Sequence, residues 1–352
     1  MRRVIFDCER MKYVNTGLYH YCLNLGRRLQ EYIDKGEEQL SFFYPSKIAV
    51  AFGENANYVG QNSLRKFYLP NLSGHDIWHC TYQNSQYIPK RNRKIKVVLS
   101  IHDLNFLYEG STEAKKAKYL RHLQKNVDRS DVIVCISEFS KNDVLAHCAI
   151  GNKPLHVILN GTNSLEEPAL QHHSYKPRRP FLFSIGVMCR KKNFHALLPL
   201  VEQNRELELL IAGRPDDSEY TNFIKESARR LKIEDNVQLL YNISETEKAW
   251  YYENCYAFMM PSLAEGFGLP VVEAMSVGKP VFLSRRAALP EIGSDKAFYF
   301  EGFDREQMQD VFVEGMRQYR DNNMHEYIRA HSQSFSWDKA AKQYIELYRS
   351  LK

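Results

Sequence analysis

Short apolar runs alternate with longer stretches of helical hydrophobic spacing along nearly the whole chain. The runs fall at 3–6, 39–44, 77–79, 96–101, 132–136 and 156–159, then at 181–185, 207–212, 237–240, 257–260 and 281–284. Runs of this length with helical patterns between them predict parallel strands joined by crossover helices, an α/β fold. Residues 166–180 interrupt the alternation. They are polar, carry Pro168, Pro177 and Pro180, and read as a linker between domains at 1–165 and 181–334. In the last segment, 335–352, Trp337, Ala341, Tyr344, Ile345 and Tyr348 share one face of an amphipathic helix.

A chain of 352 residues gives each domain enough length for a core of its own. Hydrophobic content of 44% with 26% charged residues is ordinary for a soluble globular protein. No apolar run is long enough to cross a bilayer, and the one following Met1, Arg2 and Arg3 is too short for a signal peptide. Seven cysteines without paired spacing read as reduced thiols in a cytoplasmic protein, neither a disulfide frame nor a zinc site. The net charge of +6 is unevenly divided: residues 1–165 hold 23 Lys and Arg against 15 Asp and Glu, and the remainder 25 against 27. A basic first half suits an anionic lipid surface or a phosphorylated acceptor. No nucleic-acid module accompanies the charge, so nucleic acid is not expected as a partner.

The densest chemistry lies in Glu265-Gly-Phe-Gly-Leu-Pro-Val-Val-Glu273. Pro270 suits the first turn of a helix, and Gly278 before Lys279 and Pro280 suits its end. The amides of Gly268 and Leu269 then lie where an anion is held, between two carboxylates able to accept sugar hydroxyls. A second cluster, Arg190-Lys-Lys-Asn193, sits in a loop between the strand 181–185 and a helix; its cations can neutralise a departing diphosphate or simply face solvent. Gly17 lies in Asn15-Thr-Gly-Leu-Tyr19, after the first strand and at the start of a helix over 18–33, where a bare backbone admits close approach. His102 and Asp103 end the strand 96–101 at the carboxyl edge where open α/β sheets bind ligands; Asp103 reads as the cap of the next turn. No Asp-x-Asp occurs, and His172 and His173 lie in the linker, so no dedicated metal is expected.

Taken in order, these blocks resemble the family 4 glycosyltransferases. The Glu-x7-Glu pattern within 261–281 carries most of the likeness, with Ser100-Ile-His-Asp-Leu104, Ser137-Glu-Phe-Ser-Lys141, Leu159-Asn-Gly161 and Leu289-Pro-Glu-Ile-Gly293 beside it. The resemblance implies the GT-B architecture, two Rossmann-like domains facing across a cleft, with the terminal helix returning to the first domain. It implies a retaining, metal-independent transferase without a cofactor, using a nucleotide-sugar donor and a saccharide or lipid-linked saccharide acceptor. Relatives with these motifs often build bacterial surface polysaccharides, commonly with mannose donors, so the resemblance leans toward GDP-mannose as the donor here. Carried over, Glu273 accepts the ribose hydroxyls, Glu265 lies beside the transferred sugar and Lys192 binds phosphate. Amides around Phe267, Gly268 and Leu269 meet the phosphates or sugar, and His102 lies near the sugar. Many relatives have an arginine directly after the strand glycine; here that residue is Val187, and Arg190 or Lys191 is left to make its contact. No residue stands out as a double-displacement nucleophile, so front-face departure and attack is the expected course.

One face of the helix after Ser111 carries Lys115, Lys118, His122, Lys125 and Arg129, while Leu120, Leu123 and Val127 face inward. This stripe is read either as a solvated face or as a contact with anionic membrane on the inner face of the cell. Two other functions share the architecture: a GT-B epimerase or phosphorylase, and a nucleotide-sugar-binding protein without turnover. A Rossmann dehydrogenase is disfavoured, because no Gly-x-Gly-x-x-Gly follows the first strand.

Overall fold

The computed structural model describes residues 1–14, 16–45, 51–67, 69, 72, 74–162, 165, 167 and 174–351. Asn15, His172 and His173 and most of the linker's first half lie outside the described residues. The chain divides into two compact units: Met1–Gly161 with Ser336–Lys352, and Thr162–Phe335.

Unit 1 runs β1 (Arg2–Asp7), α1 (Gly17–Tyr32), β2 (Glu38–Pro45), β3 (Asn57–Gln61), β4 (Ile77–Cys80), β5 (Lys96–Ile101), α2 (Glu113–Arg129), β6 (Val132–Cys135), α3 (Glu138–His147) and β7 (Leu155–Val157). Its seven strands pair in parallel in the order β3-β2-β1-β4-β5-β6-β7. Central strands of such a sheet are covered on both faces, and β4 and β5 are buried from Ile77 to Cys80 and from Val97 to Ile101, polar His79 and Ser100 included. Strand β3 did not show in the hydrophobic pattern, because it is a half-exposed edge strand with no apolar run.

Leu123 and Val127 of α2 are fully buried against Ile5, Val97 and Ile133, as their spacing predicts. Arg129 departs from the expected basic face. It turns inward, 7% exposed, and its guanidinium donates to the carbonyls of Pro89, Asn92 and Ile95. With three carbonyl partners, two of the bonds buried, this arginine is structural.

Unit 2 runs β8 (Phe181–Ile185), α4 (Leu198–Gln203), β9 (Glu208–Ala212), α5 (Ser218–Arg230), β10 (Val237–Leu240), α6 (Glu245–Asn254), β11 (Ala257–Met260), α7 (Leu269–Ser276), β12 (Val281–Ser284), α8 (Leu289–Gly293), β13 (Phe298–Phe300), α9 (Arg305–Asp321) and α10 (His325–Ser332). Six parallel strands follow the order β10-β9-β8-β11-β12-β13. Ser174 and Tyr175, from the stretch read as a linker, are fastened to this unit: Ser174 donates to Glu247, and Tyr175 Oη to Glu208 at 2.7 Å.

The last helix, α11 (Trp337–Ser350), packs on α1. Trp337, Ala341, Tyr344, Ile345 and Tyr348 are all buried. Beneath them lies a polar network: Tyr344 Oη is 2.9 Å from both Tyr21 Oη and Ser100 Oγ, and His79 bonds Tyr348 Oη at 2.6 Å and Ser100 Oγ at 2.7 Å. Burial pushes the His79 imidazole down to about 3, with His102 nearby adding to the effect, so it works as a neutral ring. Arg349 closes the helix end with a forked pair to Glu38, at 2.8 and 3.0 Å. Gly161 is required here, because a Cβ would sit 2.1 Å from the Trp337 amide nitrogen.

Candidate functional site

In both sheets the strand order reverses once, between the first and fourth strands of the unit, and open α/β sheets bind ligands outside the carboxyl ends at that point. In unit 2 those strands are β8 and β11. The loop leaving β8 carries Lys192, and the loop leaving β11 carries Glu265. Their side chains meet at 2.6 Å between Nζ and Oε1, with only 11% and 13% of each exposed.

Two further contacts brace these loops. Leu263 donates its amide to Lys191 O at 2.8 Å, and Asn193 Nδ2 donates to Pro261 O at 3.2 Å. Asn193 is left-handed, φ 55, which reverses the chain after the turn Arg190–Lys192. Asparagine tolerates that conformation better than most residues. Gly186, at the end of β8, leaves the space that the lysine fills: a Cβ there would lie 2.9 Å from Lys192 Cε.

Burial alone would raise the Glu265 carboxyl. The adjacent Lys192 ammonium, its hydrogen bond and the charge of Lys191 outweigh burial and hold it below the ordinary carboxylate range. The pair is therefore ionised: a carboxylate that can accept hydroxyls, beside an ammonium that can meet an anion.

Helix α7 follows. Gly268 caps it in a left-handed conformation, φ 105, which a side chain would strain, and among the described residues it has no side-chain cap bond. At the other end Gly278, φ 68, donates to Met275 O and Lys279 donates to Ala274 O, the paired closure expected of a glycine stop.

Glu273 is engaged within unit 2. It is 4% exposed, accepts from Tyr252 Oη at 2.9 Å and lies 3.4 Å from Lys248 Nζ. Lys248 also pairs with Glu245 at 2.6 Å. Burial pulls the Lys248 ammonium down, but the two carboxylates more than offset this and hold it above its ordinary value. Burial and the Glu273 charge keep Tyr252 protonated, hence a donor. Sequence reasoning missed Lys248 and Tyr252. The available signal was their i, i+4 spacing on α6, which places both on one face.

The remaining candidates are dispersed. Arg190 is exposed and lies over the rings of Tyr220 and Phe223, 5.9 and 5.8 Å from their centroids. Phe267 is buried and meets Phe335 edge-on, so its side chain packs. Leu269 opens α7. Gly17 and His102 belong to unit 1. Open space surrounds the point where a Cβ of Gly17 would project, so the fold itself does not demand glycine there.

His102 is buried, with Nε2 2.8 Å from Thr81 O. That carbonyl requires the proton on Nε2 and leaves Nδ1 an acceptor. Burial lowers its pKa to about 4, partly countered by that bond. Asp103 accepts from the Asn105 amide at 3.0 Å, capping the next turn. Among the described residues, no three His, Cys, Asp or Glu side chains converge as a metal site.

Two families match the chain in tandem. Glycosyltransferase Family 4 matches residues 50–164, and Glycosyl transferases group 1 matches residues 167–333. The chain is 23% identical to the O-antigen chain mannosyltransferase RfbU of Salmonella typhimurium, covering 87% of this chain and 89% of that protein. It is 22% identical to O-antigen chain mannosyltransferase B of Escherichia coli, covering 99% of this chain and 100% of that one. Among solved structures, sucrose-phosphate synthase from Thermosynechococcus elongatus aligns with a TM-score of 0.78 at 18% identity, over 100% of this chain and 99% of that one. Anabaena HepE in complex with UDP and glucose aligns with a TM-score of 0.74 at 15% identity, over 100% of both.

Proposed function

We propose a function from one premise: the chain belongs to the family 4 glycosyltransferases. It transfers mannose from GDP-mannose to a saccharide or lipid-linked saccharide acceptor, with retention at the anomeric carbon and without a metal, in the assembly of a surface polysaccharide. The mannosyltransferase and O-antigen names of its relatives support the sugar and the setting. The observation that carries the reading is the Lys192–Glu265 pair at the switch point of unit 2, beside an α7 N-terminus without a side-chain cap among the described residues.

In the resting pair each side chain neutralises the other. A diphosphate arriving at the α7 amides competes for the Lys192 ammonium, and this turns Glu265 toward the hydroxyls of the transferred sugar. As the glycosidic bond breaks, negative charge gathers on the leaving phosphate, where Lys192 and the helix amides stabilise it. The leaving oxygen takes the acceptor proton on the same face. Glu273 holds the ribose hydroxyls with lone pairs left over from Tyr252 and Lys248, which fix its orientation.

Thermal unfolding with a panel of nucleotide sugars tests the donor, since a ligand of the native state raises the melting temperature. GDP-mannose is expected to raise it most, and product analysis to show an α-mannoside. No stabilisation by any nucleotide sugar, or conversion of donor without transfer, would reject the reading.

A further inference from the structure

The reversal point of unit 1 carries chemistry that the donor site does not use. A cavity of about 740 Å³ lies there, walled by Arg10 from the loop after β1, Asn84 from the loop after β4, and Lys115, Lys118, Arg121 and Lys125 of α2. Its size is that of a small-molecule site, larger than a lone phosphate needs. Among the described residues, no carboxylate lines it.

The cations are also uncompensated. None of Lys115, Lys118, Arg121 and Lys125 pairs with a described acidic residue, whereas Lys116, one position away, binds Glu113 at 2.9 Å. Like charges gathered on one wall repel each other, a standing cost that an anion would relieve.

Arg10 is an independent observation. Its guanidinium is held between the rings of Tyr13 and Tyr82, 4.6 and 4.4 Å from their centroids. Among the described residues its Nε is nevertheless buried without a hydrogen-bond partner, and the nearest carboxylate oxygen, of Glu9, is 4.0 Å from Nη1. Asn84 Oδ1, in the same wall, is buried without a partner among the described residues, an acceptor that a sugar hydroxyl can satisfy. Orphaned polar groups in a cavity mark places where a ligand supplies the missing bonds.

We infer that this cavity binds a phosphate or diphosphate group of the acceptor, with the attached sugar filling the remaining volume. The inference rests on the glycosyltransferase reading for the word acceptor; the anion site itself does not. Arg10 supplies the planar, pre-oriented donor, and the α2 lysines and Arg121 supply charge.

The test is calorimetric titration of the full chain with inorganic pyrophosphate after the donor site has been saturated with GDP. Binding is expected, weakening with added salt and at least ~10-fold weaker in the Lys118→Gln, Arg121→Gln double variant. Both residues are exposed, so the variant is expected to fold, and GDP-induced stabilisation should be unchanged in it.

Sedimentation with phosphatidylcholine vesicles carrying a prenyl diphosphate separates the two sources of the anion. Recruitment that pyrophosphate reverses identifies a lipid-borne acceptor, and pyrophosphate binding without recruitment identifies a soluble one. No pyrophosphate binding beyond GDP, or binding equal in the variant, overturns the inference. So does recruitment to phosphatidylglycerol vesicles that pyrophosphate cannot compete away, which would make the stripe a membrane contact. If pyrophosphate binds but GDP and nucleotide sugars do not, the glycosyltransferase reading fails and the anion site stands.

Discussion

Lys192 and Glu265 are held 2.6 Å apart with little solvent around them, so neither can be changed without altering the other. Lys192→Ala leaves Glu265 with its burial and without its main counter-charge. Its pKa then rises, and the acid limb of the pH–rate profile should move to higher pH while turnover falls strongly. A profile that keeps its wild-type acid limb would detach the two residues. The linkage has a sign: a depressed carboxyl contributes stability above its unfolded pKa, and that stability disappears as pH falls through the depressed value. Glu273→Ala acts differently, because it strips a partner from a buried ammonium and a buried phenol. Breaking a buried pair costs on the order of 3 kcal/mol, so denaturant titration should show lost stability along with weaker donor binding. Loss of donor binding at full stability would return Glu273 to the simpler role of a ribose acceptor.

Helix α11 depends on groups far from it in the chain. Tyr348→Phe removes the 2.6 Å partner of His79, leaving a buried ring nitrogen unsatisfied at a cost of about 1–3 kcal/mol. The melting temperature should fall by several degrees, with little change in donor affinity. His79 and His102 also give unit 1 a pH dependence. An unfolded histidine takes up a proton below about 6.5, whereas these two do so only near about 3 and about 4. The stability tied to their neutral rings is complete above that unfolded value and is lost as pH falls toward 4. Thermal melts between pH 7 and 4 should show it, and His79→Gln should flatten the curve.

At the scale of the whole molecule, the proposed function and the proposed anion site assign each unit its own ligand chemistry, in keeping with the charge asymmetry and the two reversal points. On the proposed function, unit 2 presents Lys192 to the diphosphate of a donor, and unit 1 gathers five cations around one cavity. Among the described residues no helix is long and apolar enough to cross a membrane. The proposed reaction relies on Lys192 and helix amides for charge. Excess chelator should therefore leave wild-type transfer intact; if it abolished transfer and magnesium restored it, a metal would have to replace Lys192 in the mechanism.

The sequence by itself determined the α/β class, the central strands, both ends of α7 and the Glu265 motif. These depend on local spacing, on apolar runs, on a proline at a helix start and on a glycine able to turn left-handed. It did not show the edge strand β3, whose half-exposed residues carry no apolar signal. Nor could it show that Arg129 points inward, that Glu273 is already engaged by Lys248 and Tyr252, or that Arg10 joins the α2 cations around one cavity. Those facts turn on which carbonyls, carboxylates and rings from distant segments arrive at the same place. Only the tertiary structure decides that, because the energy of a buried charge is set by its neighbours in space.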